Sequence, residues 1–383
     1  MPLDWRFVLL CLAMSPAPPI APAPADEISA SKLHELVEQL HDPGGVKREI
    51  PPSKVTLKLD DVPIWQALAE IQRQTGNKAI DRENQGQAPD ATAPKVSCNF
   101  KDEPYWSAID DLLDGAVMDV ESQSGETALA LVGRPRGGIP RVGRAAYDGP
   151  FRIEAIDAQS QRNLRRPRDS SLMLQIQVAW EPRLRPIAIT QAASDLEATA
   201  GELASLSPKQ PDAVFSAEVP QGAQAVDMVL PFELPPRTAP AISTLRGKMW
   251  ALVPGRQATF KFDNLAQAAG KSQRDGDIEV IIDSVRKNND IWELHMRLKL
   301  DENNHALENH RGWAFDNRSY LVDAKGEVQE NVGLETTSET DQEIGVAYFF
   351  DAPQLDGLTW VYETPVDMAE TEVNFELRDI ELP

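Results

Sequence analysis

The chain has 383 residues, too many for one ordinary core, and 42% of them are hydrophobic, which separates it from a disordered tail. Its net charge of -22 excludes a phosphate-binding surface over the whole molecule, so no nucleic-acid partner is expected, and it disfavours anionic lipid. Thirty prolines against 6% aromatics point to short strands and many turns rather than long helices.

Residues 1–25 read as a signal peptide. Arg6 precedes an apolar run from Phe7 to Met14 that is too short to span a bilayer, and Ala23-Pro24-Ala25 supplies small residues for cleavage before Asp26. Cys11 lies in the apolar run, but Leu10 stands before it, where a lipidation signal takes a small residue. No later segment is apolar enough to span a membrane, so none is expected once the signal is removed. Cleavage would leave Cys98 as the one cysteine, without an intramolecular disulfide partner. Residues 26–50 read as an N-terminal helix and linker.

The next segment, 51–133, contains a duplication offset by 41 residues. Lys54-Val55-Thr56-Leu57-Lys58-Leu59-Asp60-Asp61-Val62-Pro63-Ile64-Trp65-Gln66-Ala67-Leu68 lies over Lys95-Val96-Ser97-Cys98-Asn99-Phe100-Lys101-Asp102-Glu103-Pro104-Tyr105-Trp106-Ser107-Ala108-Ile109, with six identities. In each copy an alternating strand (Val55, Leu57, Leu59; Val96, Cys98, Phe100) leads through Asp-x-Pro into a helix. The inward faces of those helices are Ile64, Leu68 and Ile71, then Tyr105, Ile109 and Leu112, with Gly76 and Gly115 as expected stops. Met118–Val120 and Ala128–Val132 supply further short strands. Cys98 aligns with Leu57 and is expected to be a small core hydrophobe rather than a nucleophile. Trp65 and Trp106 recur beside the inward face. They either shield a helix–sheet seam or serve as exposed anchors for a partner.

The run from Val55 through Pro63 to Thr75-Gly76-Asn77, and its second copy from Val96 to Val120, resembles the short N-terminal domain of secretins and TonB-dependent receptors. That resemblance implies a small αβ fold in the periplasm engaged in protein–protein contacts. No barrel or pore region follows, so only the adaptor character is carried over.

Residues 134–146 read as an Arg/Gly/Pro linker. Beyond it strands dominate: Leu172, Leu174, Ile176 and Val178 alternate with polar neighbours, as do Ile278, Val280 and Ile282, then Trp292 to Leu300, then Val373, Phe375 and Leu377. Turns are expected at 274–277, 288–290, 324–326 and 355–357. The fold class is therefore α+β. A tandem strand-helix-strand repeat precedes an antiparallel, Ig-like β-sandwich region in two units, 147–236 and 237–383, divided at the proline cluster of 234–240. Leu196 to Leu206 is read as a loop. Val178-Ala179-Trp180-Glu181-Pro182-Arg183-Leu184 and Arg311-Gly312-Trp313 also resemble exported proteins of the planctomycete type, which implies no activity.

Catalytic signatures are missing. There is no Gly-x-Ser-x-Gly and no phosphate-binding glycine loop. The one histidine cluster, within 301–310, has neither metalloprotease nor calcium-loop spacing and reads as a solvated turn, so no catalytic residue, cofactor or metal is assigned. His295 reads as a surface residue on a strand's polar face. Charge is more telling: 134–185 holds eleven arginines and no lysine, whereas 301–383 holds twenty acids against four basic residues. Arg165, Arg166 and Arg168 form the densest knot, either pairing with the acidic end or meeting a partner. Self-association through the 134–185 and 301–383 regions is a further reading. Together these features lead to the expectation of a non-enzymatic exported envelope protein, periplasmic or extracellular, acting as a binding or assembly adaptor for envelope proteins. A structural surface protein and a polysaccharide-acting hydrolase are the alternatives.

Overall fold

A computed structural model describes residues 46–82, 93–121, 127–201, 204–301 and 312–383. The signal segment and the expected N-terminal helix therefore lie outside the described residues, as do His305 and His310. Val46–Lys47, read as linker, instead forms a short strand parallel to Ala369 and Glu370.

The duplication folds as two interlocked halves. Strands Lys54–Pro63 and Lys95–Pro104 share the same alternation, with Val55, Leu57, Val96 and Cys98 buried and their neighbours exposed. Each passes directly into a 12-residue helix, Ile64–Thr75 or Tyr105–Ala116. The two long strands pair antiparallel with each other. Ala79–Asp81, Leu129–Gly133 and Met118–Glu121 make a second sheet, and both sheets share one apolar core with both helices.

Asp61 and Asp102 were expected to open the helices, but they occupy bulges in the paired strands. Their φ values are +49° and +54°, a left-handed conformation that aspartate tolerates better than most residues. The Asp61 N–H donates to Ser97 Oγ at 2.9 Å, and the Asp102 N–H to Thr56 Oγ1 at 3.0 Å. In the same reciprocal way, Ile64 N–H donates to the Pro94 carbonyl and Tyr105 N–H to that of Ser53, both at 2.9 Å. Every one of these partners is related by the 41-residue offset, so each copy caps the other. At these four N–H groups, neither half supplies its own hydrogen-bond acceptor.

One helix stop also differs from expectation. The second helix runs past Gly115, and the left-handed position falls on Val117 with φ +55°, where the first copy has Gly76 with φ +76°. A β-branched residue is strained there, and Val117 is 61% exposed, so little packing compensates. Val117→Gly is therefore expected to raise stability by about 0.5–1 kcal/mol, after its greater unfolded-state entropy is subtracted. Urea unfolding of the variant checks this; a loss of stability would show that the valine makes contacts worth more than its strain.

The remainder is two β-sandwiches. In the first, strands Ala225–Glu233, Ser171–Trp180, Phe151–Gln161 and Ala145–Asp148 form an antiparallel sheet in that order. It faces a seven-stranded sheet whose long centre is Ala241–Val253. Leu172, Leu174, Ile176 and Val178 on one side meet Leu245, Met249, Val373 and Phe375 on the other. The second sandwich packs Arg256–Phe262, Thr359–Val366, Arg318–Val322 and Val328–Glu330 against a five-stranded sheet centred on Ile291–Leu300.

The boundary does not fall at 236/237. Ala241–Val253 pairs along its length with Ala369–Glu381 inside the first sandwich, so residues 256–366 are an insertion between two neighbouring strands. The prolines at 235, 236 and 240 punctuate a loop within one sandwich, which the local sequence cannot distinguish from a linker. Leu196 to Leu206 likewise holds two short strands, Glu197–Ala200 and Ala204–Leu206, where a loop was read. No helix among the described residues is long and apolar enough to cross a membrane.

Candidate functional site: the faces of the αβ module

The second-copy helix carries Trp106, Asp110 and Asp114 at i, i+4 and i+8, one stripe of its surface. That stripe is docked on the first sandwich. The Trp106 ring is 2% exposed and its Nε1–H donates to the Pro150 carbonyl at 3.0 Å. Arg152, fully buried on the strand that begins at Phe151, lies over the Trp106 ring at 4.5 Å and donates from Nη1 to Asp110 Oδ1 at 2.9 Å. The Tyr147 hydroxyl donates to the other Asp110 oxygen at 2.9 Å. Burial raises the Asp110 carboxyl above its usual range against the pull of Arg152, and raises the Tyr147 phenol as well, with the Asp110 charge adding to it.

The expected linker is part of the same joint. Arg134 binds Asp114 and donates to Asp119 at 3.0 Å, while Arg141 reaches Asp119 at 2.7 Å and Glu154 at 3.3 Å. The backbone N–H groups of Arg141 and Val142 also donate to Asp114. Burial pushes the Asp114 carboxyl up, but these donors outweigh it and hold the group below the usual carboxylate range. The expected linker is thus pinned to the end of the helix at Arg134 and at Arg141 and Val142, while residues 135–140 between them are exposed.

A second weld joins the first copy. Glu181 is fully buried, and its carboxylate accepts from Ser53 N–H at 2.7 Å, Asn77 Nδ2 at 2.9 Å and Arg183 Nε at 2.6 Å. Arg183 closes the loop, its N–H donating to Asn77 Oδ1 and its Nη2 to the Pro51 carbonyl. The module is fixed to the sandwich at two places by buried carboxylates, Asp110 held by Arg152 and Tyr147, and Glu181 held by Ser53, Asn77 and Arg183.

The expected site residues separate accordingly. Trp106 is not an exposed anchor: it is consumed by the internal seam. Trp65, at the same position of the first copy, is half-buried against the module core. The positions equivalent to Asp110 and Asp114 are Ala69 and Arg73, both exposed, with Arg73 Nε held by Glu70 at 2.8 Å. The first-copy stripe is therefore open where the second-copy stripe is docked. Arg165, Arg166 and Arg168 are brought together on one exposed loop, in which Arg166 pairs with Asp169 at 3.7 Å. Arg134, Arg141, Arg152 and Arg183, from the same basic region, pair internally instead. Cys98 is buried on its strand, and burial pushes its thiol up, as expected of a core residue. His295 is half-buried rather than a surface residue, 3.3 Å from Glu293.

Sequence reasoning missed Asp110, Tyr147, Arg152 and Glu181. A weak signal existed in Phe151-Arg152-Ile153-Glu154, where charges alternate with large apolar residues at the start of a strand, but alternation alone assigns such charges to solvent. Comparison with known protein families and with curated proteins finds no match to this chain.

Proposed function

We propose that the chain is a non-enzymatic adaptor of the cell envelope, exported to the periplasm or cell surface, whose αβ module binds another envelope protein through its first-copy helix. The observation that carries this reading is the asymmetry of the duplication. One helix stripe, Trp106-Asp110-Asp114, is already engaged with a β-surface, and its counterpart is exposed at Ala69 and Arg73 and half-buried at Trp65. A half-exposed tryptophan flanked by a small residue and a cation is a surface suited to a protein contact. The resemblance of both copies to the short N-terminal domain of secretins and TonB-dependent receptors supports the same reading. So does the rigid mounting of the module, which holds the open face in a fixed orientation.

Photo-crosslinking tests it in cells that make the protein. A photoreactive side chain at Ala69 is expected to give one discrete protein adduct, lost when Trp65→Ala is added. Adducts that are absent, or indifferent to Trp65, would remove the proposed face. Deleting 51–133 is a poorer test, because it would uncover Arg152 and Glu181 and remove Asp110, Ser53 and Asn77, which pair with them.

A further inference from the structure

Once its internally paired arginines are set aside, the basic region is densest on the loop that joins Phe151–Gln161 to Ser171–Trp180. Arg162, Arg165, Arg166 and Arg168 are all exposed on it, and Leu164 at its tip is 86% exposed. The loop is built to hold that shape. Asn163 Oδ1 accepts from the N–H groups of Arg165 and Arg166 at 3.0 and 2.9 Å, and Ser170 Oγ accepts from Asn163 N–H at 3.0 Å. Lys209 Nζ reaches in from another segment to donate to the carbonyls of Arg168 and Ser170. Residues 162–170 carry four arginines against Asp169 alone, a positive knob on a chain of net charge -22.

The second sandwich carries its complement. Val328, Val332 and Leu334 are 48%, 63% and 38% exposed around the edge where Val328–Glu330 leads into Gly333–Glu339. Residues 323–341 hold six acids and one lysine. Both patches are exposed in the single chain, so neither is covered by the other within one molecule.

We propose that the two patches meet between copies: the Arg162–Arg168 knob of one molecule docks, Leu164 first, on the acidic apolar edge at 327–335 of the next. Because the rest of the chain is strongly acidic, two copies repel one another except where the knob is presented, which selects this contact over others. Guanidinium forks match the carboxylates of Glu327 and Glu335, while Leu164 and the exposed valines remove apolar surface from water. The two patches differ, so the contact is head-to-tail and adds copies in rows or closes a ring. This assembly is independent of the Trp65 face.

Sedimentation velocity of the full chain tests it. At about 20 mM salt the weight-average sedimentation coefficient is expected to rise with protein concentration, and at about 500 mM to fall to that of the monomer. Arg165→Glu/Arg166→Glu/Arg168→Glu and Glu327→Lys/Glu335→Lys are each expected to weaken association by more than about tenfold, since several ion pairs become repulsions. An equimolar mixture of the two variants is expected to associate again, because each reversed patch now faces a complementary one. All these side chains are exposed, and an unchanged melting temperature confirms that the variants fold. A wild-type chain that stays monomeric at low salt, or variants that associate undiminished, would overturn the proposal.

Discussion

Asp110→Ala is expected to destabilise the protein by about 3–5 kcal/mol, the cost of leaving a buried charge without its partner. Arg152 is fully buried, its Nε makes no hydrogen bond, and its other carboxylate contact, Glu154, is at 3.4 Å. Removing Asp110 therefore strands the guanidinium in a dry seam and also deprives the Tyr147 hydroxyl of its acceptor. The reverse experiment separates the ion pair from the packing. Asp110→Leu combined with Arg152→Met removes both charges, and is expected to lie within about 1–2 kcal/mol of the wild type. Urea unfolding followed by tryptophan fluorescence reads both. Hydrogen exchange should show the single variant loosening the second-copy helix and the strand Phe151–Gln161 together, because they share the seam. A loss below about 1 kcal/mol would mean that water reaches Arg152 when its partner is gone.

What the sequence made legible follows from the range of each interaction. Alternation at i and i+2 located the strands through Leu172–Val178 and Trp292–Leu300, because a half-buried strand writes its burial directly into its residues. The turns at Gly276, Asn289, Gly326 and Gly357 were equally readable, each having a positive φ that those residues accept. The duplication was visible as well, but its consequence was not. Thr56 and Ser97 look like ordinary outward residues, yet each caps a bulge in the opposite copy. Pairing of Ala241 with Glu381 spans the whole inserted sandwich, and no local pattern encodes it. Buried charges were hardest to find. A lone arginine or glutamate reads as solvent-facing, and Arg152 and Glu181 are inside only because their partners arrive from 42 and 104 residues away. The candidate face was half legible: Trp65 and Trp106 were found together, and the fold gives them different surroundings.

That division gives an expected result that links fold to function. Trp106→Ala is expected to cost about 3–5 kcal/mol, since it empties a buried site, breaks the bond to the Pro150 carbonyl and removes the ring beneath Arg152. It also removes the edge-to-face contact with Tyr105 at 5.4 Å. Trp65→Ala deletes the same side chain from the equivalent position of the first copy, but the ring there is half-buried and rests only against the edge of the module core. Its cost is expected to stay below about 2 kcal/mol. The comparison is internally controlled, because the two substitutions are identical, the two helices have the same length and each follows a strand of 10 residues. Unfolding curves for both variants measure the difference, and the Ala69 crosslink measures binding. A gap of at least about 2 kcal/mol with loss of the crosslink in Trp65→Ala alone would place stability in one copy and partner contact in the other. Equal costs would mean that the first-copy stripe is packed as firmly as the second, and the open face would no longer be available to a partner.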